Sequence, residues 1–351
     1  MSHLLSNLDQ QLDEFAAAHS LPGYRRAQIR QWLFEKRAEG WDAMSNLSKQ
    51  LRAELAAELP LWRARVDRHT QAADGTEKLL FGLEQGGQIE CVLLRDEHRR
   101  TMCVSTQVGC GMGCVFCASG LDGVDRNLTT GEIVEQFLRL QHRLTPEERI
   151  SHIVVMGMGE PLANLDALLP ALKEATRPDG LGISHRRITI STVGLPKPIR
   201  RLAREETQYR LAISLHAPDD ELRNRIVPTN AQIGIDEIMA AADEYYEATR
   251  RRLTFEYVLL ADLNDQPEHA HRLVRLLRGR EALVNVIPYN TVVGLPYQTP
   301  SMETQKAFRA VLEQGGLAVR FRHRKGDKIN AACGQLRRSQ AGTPGVVQLE
   351  A

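Results

Sequence analysis

The sequence predicts an α/β fold built on a parallel sheet or barrel, with a small helical attachment ahead of it. Three observations carry this expectation. Runs rich in Val, Ile and Leu recur at Met102–Gln107, His152–Gly157, Arg187–Thr192, Arg210–Leu215, Leu253–Leu260, Leu283–Tyr289 and Leu317–Arg322, as strands buried on both faces should. Helical patterns such as Gly131–Leu144 and His269–Leu277 fall between them, and repeating β-α units imply parallel pairing. The 351 residues exceed a typical single domain, yet an α/β barrel holds such a length in one core.

Residues 1–65 read as helical and charged. Arg25, Arg26, Arg30, Lys36 and Arg37 interleave with Ile29, Trp32, Leu33 and Phe34. Arg26 and Arg30 are four apart and share a helix face. Such a run is ordinarily a solvated face; the sharper reading is contact with an RNA backbone. Residues 78–94 change period and read as a β-hairpin turned at Gly86-Gly87, since glycine supplies the positive φ that the turn needs. The hairpin leads straight into a cysteine-rich segment.

Composition narrows the class. Lys+Arg is 45 and Asp+Glu is 44, with 42% hydrophobic and 25% charged residues. These values exclude collagen-like, low-complexity and wholly disordered chains. No apolar run approaches the roughly 18 residues of a membrane span. The N-terminus has neither a basic nor an apolar leader region, so a cytoplasmic protein is expected. In a reducing compartment, the six cysteines read as metal-binding or catalytic groups rather than staples. The net charge of +1 gives no whole-chain footprint for nucleic acid.

Cys110, Cys114 and Cys117 form C-x-x-x-C-x-x-C within GCGMGCVFC. One loop can wrap such closely spaced sulfurs around one metal centre. Three thiolates are the informative count, because a closed zinc site or a fully protein-ligated iron–sulfur cluster takes four. Three leave one position open for a substrate or cofactor. Gly109, Gly111 and Gly113 allow the tight turns of a ligating loop. An iron–sulfur cluster, zinc completed by a distant ligand and three unrelated thiols all stay open from the spacing alone.

The triplet, with Phe116 before its last cysteine, resembles the signature of the radical S-adenosylmethionine (SAM) superfamily. The wider set of CVSTQVGCGMGCVFCASG, RNLTTGEIVEQ, VVMGMGEPLANLD, RRITISTVG, LAISLHAPDDELRNRIVP, VIPYN and AACGQL resembles the RlmN/Cfr family, and its RlmN-type RNA adenosine C2-methyltransferases in particular. LPGYRRAQIRQWLFEK, DGTEKLLF and IECVLL fit as well, so the likeness runs from about Leu21 to Leu336. It implies a partial (β/α)6 radical SAM barrel with a small N-terminal helical domain and a β-hairpin extension. The expected boundaries are 1–75 for the helical RNA-binding accessory domain, 76–96 for the hairpin, 97–330 for the barrel and 331–351 for the tail.

The resemblance also assigns roles. Cys110, Cys114 and Cys117 would hold a [4Fe-4S] cluster whose fourth iron binds SAM. Cys333 would be methylated by one SAM, lose hydrogen to a radical from a second, and add its methylene carbon to C2 of adenine. Cys103 would resolve the adduct through a transient disulfide with Cys333. Glu90 would accept the C2 proton, a role that suits a carboxylate whose pKa burial raises. Alone, Cys103 and Cys333 would read as buried small hydrophobes and Glu90 as a solvent-facing hairpin residue. Cys91 has no role in this scheme.

For SAM, the matching positions are Gly159 and Glu160 in GMGEP, then Ser191, Ser214, Leu215, His216 and Asn290 at successive strand ends. Barrels assemble their sites at such ends. Without the likeness, the two serines are ordinary strand-end hydroxyls and His216 a satisfied structural histidine. Arg320, Arg322, His323, Arg324 and Lys325 precede Asn330 and Cys333 as a basic run, suited to solvent or to RNA phosphate. The expected partners are 23S rRNA and tRNA, an electron donor such as flavodoxin or ferredoxin, and a thiol reductant, with a monomeric chain and no membrane. Methylation at C8, as in the Cfr type, and a non-catalytic zinc-stabilised RNA-binding protein are the alternatives.

Overall fold

A computed structural model describes residues 3–205, 207–322 and 329–336 of the chain. The N-terminal segment holds α1 (Leu8–Ala18), α2 (Tyr24–Arg30) and α3 (Lys49–Glu58). Ser48 starts α3 by accepting from Leu51 N at 3.1 Å, the capping that satisfies an orphan helix donor. Leu12, Phe15, Ile29 and Leu55 are buried and continuous with the main core.

The basic stretch is not one solvated face. Arg30 is 1% exposed. It pairs with Asp9 at 2.9 Å, Glu174 at 2.7 Å and Asp179 at 2.8 Å. Arg37 donates to the carbonyls of Thr145, at 2.8 Å, and Glu148. Both cations brace the N-terminal segment against the rest of the fold. Arg26 stays at the surface beside Asp13, at 2.6 Å.

Next come β1 (Ala64–Gln71), β2 (Glu77–Leu83), β3 (Gln88–Arg95) and β4 (Arg100–Cys103), an antiparallel meander. Gly86 and Gly87 have φ of +86° and +85°, as the hairpin turn requires. The expected hairpin is β2 and β3, and it is the middle of this meander, joined to the barrel sheet through β4. One expectation needs correction: β1 lies in the stretch read as helical. It is an edge strand with mostly exposed side chains, so it shows no alternation of apolar residues to read.

The expected strand Met102–Gln107 is split. After β4 the backbone leaves the sheet, and Ser105 N donates to Gln136 Oε1 at 2.9 Å and Thr106 N to Met158 O at 2.8 Å. β5 (Gln107–Gly109) then pairs with β6 (Val124–Asn127) as a separate ribbon. From β4 onward the main sheet is parallel. α4 (Thr130–Gln141), β7 (His152–Val155), α5 (Leu165–Thr176), β8 (Ile188–Thr192), α6 (Pro196–Arg204) and β9 (Arg210–Ser214) alternate. α7 (Asp220–Ile226), α8 (Ile235–Thr249), β10 (Leu253–Leu259), α9 (Pro267–Leu277), β11 (Ala282–Pro288), α10 (Met302–Gln314) and β12 (Ala318–Phe321) complete it.

Six βα units thus run from β4, with β12 as a further parallel strand. The order β1-β2-β3-β4-β7-β8-β9-β10-β11-β12 leaves β1 and β12 as edges, so the barrel is open. The helix-facing positions Ile153, Val155, Ile188 and Ile190 are buried, while Val154, Thr189 and Ser191 between them are only half-buried. β7 and β8 are therefore not buried on both faces as expected, whereas residues 211–213, 255–259 and 284–287 of β9, β10 and β11 are buried without a break, as expected. An unclosed barrel is too wide to fill with packed side-chain layers, so its inner face borders a cavity. Among the described residues no helix is long and apolar enough to cross a membrane.

Candidate active site

The ribbon of β5 and β6 launches the cysteine loop. Gly109 has φ +76°, and a Cβ there would lie 2.1 Å from Gly123 O, so only glycine fits. Cys110 N donates to Gly123 O at 2.8 Å, Val115 N to Ile226 O at 3.1 Å, and Cys117 N to Cys114 O at 3.1 Å. These bonds fold the loop against α7 and hold Cys110, Cys114 and Cys117 on one cavity wall. Burial pushes the Cys110 thiol up to about 12, and the neighbouring Cys117 and Glu160 add to that. Burial first, then Cys117 and Cys110, raise Cys114 well above its ordinary value, while Arg223 opposes them. Three half-buried cysteines whose thiolate forms repel one another are a donor set that a soft cationic centre stabilises as thiolates.

GMGEP follows β7 along the adjoining wall. A Cβ on Gly157 would meet Ser105 Oγ at 2.6 Å, and one on Gly159, φ +100°, would meet Gln107 Cβ at 2.6 Å. Glu160 is 2% exposed. Its carboxylate accepts from Leu162 N at 3.0 Å and Val193 N at 2.9 Å. Burial nevertheless pushes its pKa up to about 7. Ser191 Oγ and Ser214 Oγ meet at 3.3 Å beside the same cavity.

His216 also lines the cavity, with φ +60°. Its Nδ1 accepts from Val258 N at 3.1 Å, which leaves the proton of the neutral ring on Nε2. Burial, reinforced by Arg223, holds its pKa down at about 3. The structural reading of this histidine and its place at the cavity are thus both seen. Leu215 is different: its side chain is fully buried in the core, its N–H donates to Glu256 O at 3.1 Å and its carbonyl accepts from Arg223 Nε at 2.9 Å, so it stands behind the cavity wall.

The C-terminal loop closes the cavity from the other side. Ala118 N donates to Gly334 O at 2.8 Å and Ser119 Oγ to Leu336 O at 2.6 Å, tying this loop to the cysteine loop. Asn290 Nδ2 donates to Cys333 O at 3.0 Å. Asn290 Oδ1 is a buried acceptor with no partner among the described residues. Cys333 is exposed, and Arg322 Nη1 donates to its Sγ at 3.2 Å. Arg322 therefore points into the site. His323, Arg324 and Lys325 lie outside the described residues.

Cys103 ends β4 and is buried. Burial pushes its thiol up to about 12, the negative charge of Cys333 adds to that push, and Arg322 opposes it. Charge on Cys333 also acts on Cys117. The residues that sequence spacing could not relate are thus electrostatic neighbours. Glu90 on β3 is buried and does not line the cavity wall itself. Lys78 on β2 pairs with its Oε1 at 2.7 Å and donates to Asn330 O at 3.0 Å. Lys78, Arg223 and Glu256 went unnoticed in the sequence, where each is one charged residue among many. Cys91 sits fully buried in the core.

The donor set fits the groups that the sequence implied. Among the described residues no three His, Cys, Asp or Glu side chains converge as they would on one metal ion. A cluster presents a separate iron to each thiolate, so its ligands stand further apart. The unpartnered Asn290 Oδ1, the Ser191–Ser214 pair and the Glu160 carboxylate provide polar contacts for an amino acid and a ribose.

Comparison with known proteins now decides the family. Residues 104–274 match the Radical SAM superfamily, and residues 3–60 match the ribosomal RNA large subunit methyltransferase N-terminal domain. A protein of Rhodopirellula baltica, named "Probable dual-specificity RNA methyltransferase RlmN", is 58% identical over 97% of this chain and 91% of its own length. The chain belongs to the RlmN dual-specificity RNA methyltransferase family. A family member from Syntrophobacter fumaroxidans is 43% identical over 93% of this chain and 95% of its own length. The crystal structure of a radical SAM methyltransferase from Sphaerobacter thermophilus superposes with a TM-score of 0.92 and 43% identity, over 96% of this chain and 99% of that one. The RlmN family is thus a radical SAM family of RNA methyltransferases, which implies SAM and a [4Fe-4S] cluster as its equipment.

Proposed function

We propose that this chain methylates C2 of an adenosine in 23S rRNA and of an adenosine in the anticodon loop of tRNA. The observation that carries the reading is the grouping of Cys333 with Arg322 at 3.2 Å, and with Cys103 and Cys117 in its electrostatic reach. C2 of adenine is poorly nucleophilic, so direct displacement on a methyl donor is inadequate. A thioether carrier that delivers carbon through a radical avoids that requirement. Two sulfurs near one cavity supply the carrier and the means of release.

In this reading Cys110, Cys114 and Cys117 hold the cluster, and Gly159, Glu160, Ser191, Ser214, His216 and Asn290 hold SAM. When bound, cluster and SAM together supply a methyl group and a hydrogen-abstracting carbon radical. Cys333 Sγ takes the methyl group, held toward the cavity by Arg322. Glu90 takes the C2 proton, with Lys78 balancing its charge. The Cys103 thiolate attacks the Cys333 sulfur as the bond from that sulfur to the methylene carbon breaks; the carbon keeps the electron pair, takes up a proton to become the methyl group, and a disulfide is left for an external thiol to reduce. A flavodoxin or ferredoxin delivers electrons, and the chain works as a cytoplasmic monomer.

The test is anaerobic reconstitution with SAM, reductant and unmodified 23S rRNA or tRNA, followed by digestion and mass spectrometry. The expected product is 2-methyladenosine, absent with Cys333→Ala and replaced by a protein–RNA adduct with Cys103→Ala. An 8-methyl product would move the chain to the C8 subgroup. An intact cluster that cleaves SAM but methylates neither RNA overturns the reading.

A further inference from the structure

The end of the barrel opposite the cysteine loop carries cations that the proposed reaction does not use. Strand register directs several of them inward. Cys103, Val154, Thr189 and Arg210 stand side by side across β4, β7, β8 and β9. Ser214, Glu256, Asn285 and Arg320 do so across β9 to β12. Ser191, Ser214 and Glu256 line the cavity, so this is the inward parity, shared by every second residue of a strand. His152 opens β7 and Arg210 opens β9 with that parity, while Arg99, Arg187 and Arg252 immediately precede β4, β8 and β10.

These charges converge from strands distant in sequence. Arg210, exposed but partly desolvated by its neighbours, is held below its ordinary pKa by that desolvation first and then by Arg251, Arg252, Arg99 and Arg320. Burial, then Arg99, Arg187 and Arg210, lower His152 in the same way. Arg99, Arg187, Arg210 and Arg320 are exposed. Among the described residues none of them, nor Arg252, has a carboxylate partner, and Glu148 at this end is taken by Arg95 and Arg100. Arg251 bonds Gln208 Oε1 at 2.9 Å, but its Nη2 is buried without a partner. Packing would tolerate neutral residues at these exposed positions. The repulsion of so many like charges is relieved by an anion.

We infer that this lower mouth of the barrel is a phosphate-binding site, gripped by Arg187, Arg210, Arg252 and Arg320. Guanidinium groups offer paired N–H donors that match phosphate oxygens. Several of them around one opening suit a ligand with consecutive phosphates. That chemistry occurs in an RNA backbone remote from the reacting base and in a free polyphosphate. The site stands independently of the methylation reading.

The test titrates the cluster-loaded protein with inorganic tripolyphosphate by calorimetry. Wild-type protein should bind it, and the Arg210→Ser/Arg252→Ser variant should bind at least about tenfold more weakly. Arg210→Lys/Arg252→Lys should keep part of the affinity, and unchanged thermal unfolding of all three shows that the fold is intact. In a second arm, affinity for a 23S rRNA fragment is followed against salt. If RNA is the source, the slope falls by about one per phosphate contact removed in the serine variant. Loss of tripolyphosphate binding with an unchanged RNA slope supports the site with a free polyphosphate as its source. Wild-type protein that takes up no tripolyphosphate and shares its RNA slope with the serine variant overturns the inference. So does a serine variant that matches wild type in both arms.

Discussion

Arg322 Nη1 stands 3.2 Å from Cys333 Sγ, and the same guanidinium reaches Met156 Sδ at 4.0 Å. One cation thus spans β12, the loop after β7 and the C-terminal loop. The charge of Cys333 is the largest cause holding the Arg322 pKa above its ordinary value. A charge-assisted contact of this kind orients the sulfur toward the cavity. Arg322→Met should slow methyl uptake by Cys333 about tenfold, the rate equivalent of about 1.4 kcal/mol. Arg322→Lys should lose less. The mass of the Cys333 peptide after a single turnover reports it, and a wild-type rate in Arg322→Met would remove the orienting role.

Lys78 joins Glu90, at 2.7 Å, to the Asn330 carbonyl, at 3.0 Å. The proposed proton acceptor and the loop that carries Cys333 therefore share one anchor. Lys78→Met should raise hydrogen exchange in residues 330–336 and cut RNA product formation by about tenfold, on the scale of one charge-assisted bond. Protection of that loop equal to wild type would show that Lys78 does not hold it.

Arg30 is the buried cation at the centre of Asp9, Glu174 and Asp179. Removing it leaves the three carboxylates with Arg177, which pairs with Asp9 at 2.7 Å, Glu174 at 3.5 Å and Asp179 at 2.8 Å where the N-terminal segment meets α5. Arg30→Met should cost about 1–2 kcal/mol in urea unfolding, below the range for leaving a buried charge uncompensated, because the carboxylates are partly exposed and keep Arg177. A loss under about 0.5 kcal/mol would mean that the pairs behave as surface pairs do.

His142 packs edge-on against Trp62 at 5.5 Å, and its Nε2 is buried without a partner. Burial is the main reason its pKa falls from 6.5 to about 4. Between those values the unfolded chain binds the proton and the folded chain does not. Stability is therefore present above pH 6.5 and lost as pH falls toward 4, by about 2 kcal/mol for a half-buried ring. His142→Phe should flatten this part of the stability–pH curve. An unchanged curve would assign the acid loss to other groups.

The parallel strands were legible because their outward positions, such as Ile153, Ile188 and Ile190, are apolar whatever the inner face does. β1 was not legible, because an exposed edge strand has no core to pattern it. The cysteine loop announced itself through glycine and cysteine spacing, and GMGEP through its place after a strand. Arg322 shows the opposite case. In sequence it belongs to a basic run, and only the strand parity of β12 turns it inward. Arg30 was likewise read as one of several surface cations until α5 and Asp179 came to meet it.

The sequence by itself determined the class of fold, the three-cysteine loop and the family to which the chain belongs, since these reside in local order and spacing. The tertiary structure alone decided which distant residues share a cavity. It set Cys333 beside Arg322, Lys78 between Glu90 and Asn330, and the arginines around the lower mouth. The physical reason is that an open barrel turns alternate residues of separate strands toward one space. Register and closure fix those meetings, and neither is written in any single stretch of chain.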